Sequence, residues 1–217
     1  MRADFPLANS LLKTDLAMPV QFRGSRLARE LLRWMGWKID FQGLPAMQGV
    51  AILYPHTSNW DFPVAMLLKS AMGIEVKVWA KDSLFNIPVF GRWLRWLGGV
   101  PLMRNAASGV VAQMVALIQR KKTESSYFWL ALSPEGTRSY QPGWRSGFYR
   151  VALEAGVPLA LASLDYSKKI LVLRHYVYLS GDTAQDMQDI ALVYEGVQGY
   201  RPGQAAPIKL LGQEEKP

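Results

Sequence analysis

The stretch Gly49-Val50-Ala51-Ile52-Leu53-Tyr54, followed at once by Pro55-His56 and then by Asp61-Phe62-Pro63, decides the fold. A short apolar run with β-branched Val50 and Ile52 reads as a buried strand. Asp61-Phe62-Pro63 opens a helix running to about Met72, with Pro63 early enough that its missing N–H costs little. A strand handed over to a helix by a short junction is the opening unit of an α/β fold. Junctions at the carboxyl ends of strands are where such folds place their sites.

The rest of the chain continues the alternation. Glu75–Lys81 reads as a strand, Pro88–Leu97 as a short helix stopped by Gly98-Gly99, and Val100–Met103 as a strand. A helix over Ala107–Lys121 is followed by an aromatic-rich strand over Ser126–Leu132. The loop Ser133–Ser146 leads to a helix over Gly147–Ala155, ended by Gly156. Val157–Asp165 and Lys169–Leu179 are expected as strands and Thr183–Glu195 as the last helix. Upstream, Ser25 is placed to cap a helix through Met35. There Leu27, Leu31, Leu32, Trp34 and Met35 are apolar and Arg26, Arg29 and Arg33 are basic, which suits either a membrane interface or packing on the core. Together these elements predict one α/β domain with a central mixed, largely parallel sheet flanked by helices, preceded by an N-terminal amphipathic helical segment. The expected division is 1–37 for that segment, as a membrane-associating element, 38–197 for the α/β domain and 198–217 for a polar tail.

Composition narrows the function. Half of the 217 residues are apolar and 19% are charged, which excludes a disordered chain. With no cysteine there is no disulfide, thiol nucleophile or thiolate metal site. The formal charge of +8 asks for an anionic partner, and eight tryptophans, several beside arginines, favour a membrane surface with anionic lipid over nucleic acid. Phe90-Gly91-Arg92-Trp93-Leu94-Arg95-Trp96-Leu97 would make a cationic-aromatic stripe of that kind on a helix. No run approaches the ~20 apolar residues that span a bilayer. Met1–Asn9 has no signal-peptide core. The expected location is therefore the cytoplasmic face of a membrane, peripheral or monotopic, with no transmembrane span.

Of the two histidines, His175 sits in an apolar strand pattern and reads as a satisfied core or edge residue. His56 stands at the strand-to-helix junction with Asp61 five residues on. The turn between them allows the carboxylate to fold back onto one imidazole nitrogen, fixing the tautomer and leaving the other nitrogen as a base. By itself this spacing arises often by chance. In a second loop, Ser133-Pro134-Glu135-Gly136-Thr137-Arg138-Ser139, Gly136 permits a tight turn and close backbone approach. Arg138 presents a planar fork for a phosphate, Thr137 and Ser139 add hydroxyls, and Glu135 is placed to orient Arg138 or a substrate hydroxyl. Arg104, just past a strand, would complete an anion site if it converged on the same sheet edge.

These blocks, in this order, resemble the glycerolipid (lysophosphatidic acid) acyltransferase family. His56-Thr57-Ser58-Asn59-Trp60-Asp61 is similar to its His-x4-Asp motif, and Pro134-Glu135-Gly136-Thr137-Arg138-Ser139 to its Glu-Gly-Thr-Arg motif. The stretch Ala80-Lys81-Asp82-Ser83-Leu84-Phe85 through Arg104 resembles its acceptor-binding block, and Val157-Pro158-Leu159 its Val-Pro-Ile block. Met103 stands where an acidic residue is common, and Ala160-Leu161-Ala162 lacks a usual second proline. The resemblance spans roughly residues 38–180. It implies that His56, held by Asp61, deprotonates a lysophospholipid hydroxyl, by default that of 1-acylglycerol-3-phosphate, which attacks the thioester of acyl-CoA or acyl-carrier protein. Backbone N–H groups near the site would hold the oxyanion. Ser58, Lys81, Arg104, Glu135, Gly136, Thr137 and Arg138 would bind substrate, with no metal and no cofactor beyond the thioester co-substrate. Lyso-ornithine lipid or another lysophospholipid as acceptor, a non-catalytic peripheral lipid-binding role, a thioester hydrolase and a nucleic-acid binder are the competing readings.

Overall fold

A strand that is buried on both faces must carry apolar side chains on both, and the hydrophobic run at 49–54 sits at the centre of the molecule for that reason. The structure, a computed structural model, describes residues 20–81, 85–88, 91–92, 98–102 and 107–212. Among these, seven strands form one sheet: β1 (Lys38–Phe41), β2 (Gln48–Tyr54), β3 (Lys77–Lys81), β4 (Gly99–Leu102), β5 (Phe128–Leu132), β6 (Leu159–Asp165) and β7 (Ile170–Val177). Their order is β1-β7-β6-β2-β5-β3-β4. All neighbours run parallel except β6 and β7, which form an antiparallel pair across a tight turn.

Five helices among the described residues cover the sheet: α1 (Arg26–Trp34), α2 (Asp61–Met72), α3 (Ala107–Thr123), α4 (Gly147–Ala155) and α5 (Thr183–Val193). Alternation along β2 divides the core in two. Val50, Ile52 and Tyr54 point to one side, against α3, α4 and α5. Ala51 points to the other, where α1 and α2 lie. In α2, Pro63 falls in the first turn, and the helix stops at Gly73 in the left-handed conformation. Ser25 caps α1 by accepting the Ala28 N–H at 3.2 Å.

Most elements stand within two residues of their expected bounds. The exception is β1, whose Lys-Ile-Asp-Phe pattern carries too few apolar residues to stand out and becomes a strand by adding to the exposed edge of β7. The expected helix over Pro88–Leu97, with its Arg-Trp stripe, lies mostly outside the described residues, as does most of the segment before residue 20. Residues 198–212, read from the sequence as the start of a polar tail, are folded against the domain: Ala206 and Leu210 are buried in the same cluster as β2 and α4. His175 lies half-buried on β7, where burial and then the neighbouring Arg174 push its pKa down.

Gly49 shows how tightly the α1–α2 side is packed. A Cβ there would come within 2.4 Å of the buried Trp129 indole ring. Replacing Gly49 with alanine is therefore expected to lower stability by about 1–3 kcal/mol through overpacking, read as a fall in the urea midpoint at unchanged slope.

Candidate active site

Parallel pairing brings three loops to one end of the sheet. In register, Ile52 of β2 lies opposite Leu132 of β5, and Tyr54 opposite Ser163 of β6. The chain after β2 (55–60), after β5 (133–146) and after β6 (166–169) therefore emerges at the same carboxyl edge, the position α/β sheets use for sites. Residues 198–206 close over them from the far end of the chain.

The first loop is organised by Asp61. Its side chain is fully buried, and its Oδ2 lies 3.0 Å from His56 Nδ1 while accepting the N–H groups of Thr57 (2.8 Å) and Ser58 (2.9 Å). Burial pushes this carboxyl up, but the hydrogen bonds from His56 and the Ser58 amide, with the nearby Tyr166 hydroxyl, prevail and hold it below the usual carboxylate range. It is thus an anion, and His56 Nδ1 carries the proton that faces it. The Asp61 Oδ1 and the Tyr166 hydroxyl are both buried without a well-formed hydrogen bond. They still sense each other: Tyr166 helps hold Asp61 down, and burial, then Asp61, drive the Tyr166 phenol far up. An imidazole fixed in this way keeps Nε2 as an acceptor, the arrangement of a general base.

Glu135 of the second loop is turned inward. Its Oε2 accepts the His56 N–H at 2.5 Å and its Oε1 the Ala206 N–H at 2.9 Å. Burial raises its pKa; the two amides oppose that rise only in part. Buried, with a backbone amide on each oxygen, it does not line the cleft where the sequence reading set it beside Arg138 or a substrate hydroxyl. It is a strut that ties the His56 loop to the C-terminal segment. Gly136 beside it has φ +67°, a left-handed conformation that favours glycine. The motif amides are also committed. His56, Thr57 and Ser58 N–H go to the two carboxylates, Trp60 N–H to Ser58 Oγ and Asp61 N–H to the Ser58 carbonyl. An oxyanion must therefore find its donors outside these five.

The four residues between His56 and Asp61 line a cleft of about 420 Å³. Thr57, Ser58, Asn59 and Trp60 form one wall, Arg138 and Ser139 another, and Tyr200, Arg201 and Gln204 the third. Ser58 and Arg138 are thus where the sequence placed them, while Thr137 Oγ1 accepts the Ser139 N–H at 3.4 Å. Lys81 ends β3. Arg104 lies outside the described residues. Tyr200, Arg201 and Gln204 belong to a stretch the sequence reading had set aside as tail. Among the described residues, no three His, Cys, Asp or Glu side chains gather as metal ligands.

Removing the Glu135 carboxylate strips two amides of their acceptor. Glu135→Ala is expected to lower stability by on the order of 3 kcal/mol in chemical unfolding, and Glu135→Gln, which keeps the shape and one oxygen acceptor, by less.

Comparison with known proteins bears on the family and the fold. The family described as Acyltransferase matches residues 38–162. The 1-acyl-sn-glycerol-3-phosphate acyltransferase BAT2, chloroplastic, of Brassica napus is 28% identical over 138 residues, covering 62% of this chain and 39% of that protein. LPAT1, chloroplastic, of Arabidopsis thaliana, which carries the same enzyme name, is 26% identical over 138 residues, 62% of this chain and 38% of its own length. The match spans less than two-fifths of either relative. In fold, the chain is similar to the crystal structure of the 1-acyl-sn-glycerophosphate (LPA) acyltransferase PlsC from Thermotoga maritima, with a TM-score of 0.50 at 17% identity over 78% of this chain and 74% of that one. Because the family match takes in more than half of the residues, from β1 through most of β6 and across the His56–Asp61 turn, the chain belongs to the acyltransferase family.

Proposed function

We propose that the protein transfers a fatty acyl group from acyl-CoA or acyl-carrier protein to the free hydroxyl of 1-acylglycerol-3-phosphate, giving phosphatidic acid. The observation that carries this reading is the His56 imidazole, held at 3.0 Å by a buried, ionised Asp61, with the four residues between them lining a cleft that also takes in Arg138 and Arg201. The names of the two plant relatives support the acceptor.

In this mechanism His56 Nε2 takes the proton of the acceptor hydroxyl as its oxygen attacks the thioester carbonyl. The tetrahedral adduct collapses by breaking the C–S bond, and the imidazolium returns the proton to the departing thiolate. No residue becomes acylated, so no nucleophilic side chain is needed. Asp61 stabilises the transient imidazolium. Arg138 holds the acceptor phosphate, with Lys81 and Arg104 assigned to the same task from the sequence resemblance. Fixing the hydroxyl against the carbonyl supplies much of the acceleration.

A surface for the lipid is at hand. On α1, Leu27, Leu31 and Trp34, with Met35 at its end, are exposed beside Arg26, Arg29 and Arg33, and Trp34 is 88% exposed. No described helix is long and apolar enough to cross a membrane. We assign α1 to the interface of an anionic leaflet, on the cytoplasmic face, with its apolar residues at the headgroup boundary.

The deciding assay presents labelled acyl-CoA, and separately acyl-carrier protein, with a panel of lysolipids that includes 1-acylglycerol-3-phosphate and lyso-ornithine lipid. Wild type is expected to form phosphatidic acid, and His56→Ala to lose on the order of 10²–10⁴ in kcat. Asp61→Asn, which presents an amide to Nδ1, should suffer a similar loss. Product from a different lysolipid alone would move the acceptor; no product from any would remove the enzyme reading. In vesicle sedimentation with phosphatidylglycerol, Trp34→Ser is expected to weaken binding about tenfold, and unchanged binding would take α1 off the membrane.

A further inference from the structure

The cleft beside His56 carries two guanidinium groups from different parts of the chain. Arg138 follows β5, whereas Arg201 comes from the segment after α5. No acidic residue lines the cleft, and among the described residues neither arginine makes an ion pair. Two arginines without an ion-pair partner among the described residues, lining one polar space, suit an anion of more than one charge.

The position of Arg201 is built in. Its own N–H donates to Thr57 Oγ1 at 3.1 Å, and Thr57 is buried. A Cβ on Gly199 would stand 2.6 Å from the same Thr57 oxygen, so the segment lies directly on the His56 loop. Further along, the Gln204 amide, in the orientation that satisfies it, donates to the carbonyls of Arg138 (2.9 Å) and Thr57 (3.3 Å). The Ala206 N–H then meets Glu135. Arg201 is therefore held between the two motif loops by its backbone, and its side chain is left to the cleft.

We propose that Arg201 is a specificity-determining residue: with Arg138 it forms a two-cation clamp that selects acceptors carrying a phosphate monoester over those whose phosphate is a diester. A monoester bears about −1.5 to −2 charges near neutral pH because its second pKa is about 6, whereas a diester bears one. A single arginine satisfies the second; the second arginine is matched only by the first. The inference rests on the acyl-transfer reading and names the chemical class of its acceptor.

The test compares wild type, Arg201→Ala and Arg201→Lys on 1-acylglycerol-3-phosphate and on lysophosphatidylglycerol. Arg201→Ala keeps the backbone N–H to Thr57, and an unchanged thermal midpoint checks the fold. Its kcat/KM for the monoester is expected to fall by roughly 10- to 100-fold, mostly through KM. The monoester-to-diester ratio should drop at least fivefold, with Arg201→Lys between. The wild-type advantage over Arg201→Ala should shrink from pH 7.5 to pH 5.5 as the monoester loses its second charge, a change that a merely structural role would not produce. An unchanged ratio, or a loss equal for both acceptors and flat with pH, overturns the clamp while leaving the acyl transfer intact. If wild type acylates neither acceptor, the reaction assignment fails instead. Titration calorimetry with glycerol 3-phosphate and with inorganic phosphate then decides on the clamp. Binding weakened tenfold or more by Arg201→Ala sustains it, glycerol 3-phosphate alone binding points to the lipid headgroup, and no binding by wild type ends it.

Discussion

A single oxygen, Asp61 Oδ2, gathers the His56 imidazole and two successive backbone amides, and the geometry of the site follows from that convergence. Three donors on one buried carboxylate oxygen keep it ionised against the penalty of burial. They also fold the five residues from His56 to Trp60 into one turn, so the imidazole has little freedom to rotate away. The same turn starts α2, so the imidazole is tied to the framework of the sheet rather than to a free loop. A site of this kind depends on orientation more than on any unusual group.

The second carboxylate makes a different contribution. Glu135 joins strands of chemistry that are far apart in sequence, the His56 loop and the segment around Ala206. Through it, through Gln204 and through the Arg201 amide, residues 198–206 become the third wall of the cleft. Tyr54, at the end of β2, donates its hydroxyl to the Ala206 carbonyl at 3.0 Å, and burial followed by the Glu135 charge pushes that phenol up to about 12. The two acids therefore divide the work. One orients the imidazole, and the other ties the His56 loop to the C-terminal segment.

What could be read from the sequence was local. The strand at 49–54, the helix from Asp61 and the His56–Asp61 contact all lie within one βα unit, where periodicity, a proline in the first turn and a five-residue separation carry the information. The fold class was legible for the same reason, since the alternation of elements repeats that unit. Glu135 was misread because its environment is made by residues distant in the chain: nothing near it in sequence says that two amides will meet its oxygens. Arg201 was passed over because a stretch with Pro202, Gly203 and Gln204 has the composition of a tail. The hydrogen-bond partners of that stretch, Thr57 and Glu135, become visible only once the sheet has brought the loops together. β1 was missed because an edge strand needs only its hydrogen bonds to β7, not an apolar pattern.

The position of α1 relative to the cleft bears on how a lipid would reach it. Gly24, just before α1, packs against Ala71 at the far end of α2, and α1 then runs back along α2 toward the His56 end. Beyond it, the Trp37 ring meets Tyr166 at 5.1 Å, and Tyr166 meets Tyr200, a wall of the cleft, at 5.3 Å. An unbroken line of aromatic contacts thus joins the end of α1 to the cleft, with Tyr166 also set against Asp61. Exposed Trp34 and Met35 stand at one end of this line, and half-exposed Tyr200 at the other. If the proposed contact of α1 with the membrane extends along this line, an acceptor's acyl chain need not leave the bilayer for its headgroup to reach the cleft. Such an approach requires only that the headgroup be lifted into a cationic pocket, which is a smaller penalty than extracting the whole lipid into water.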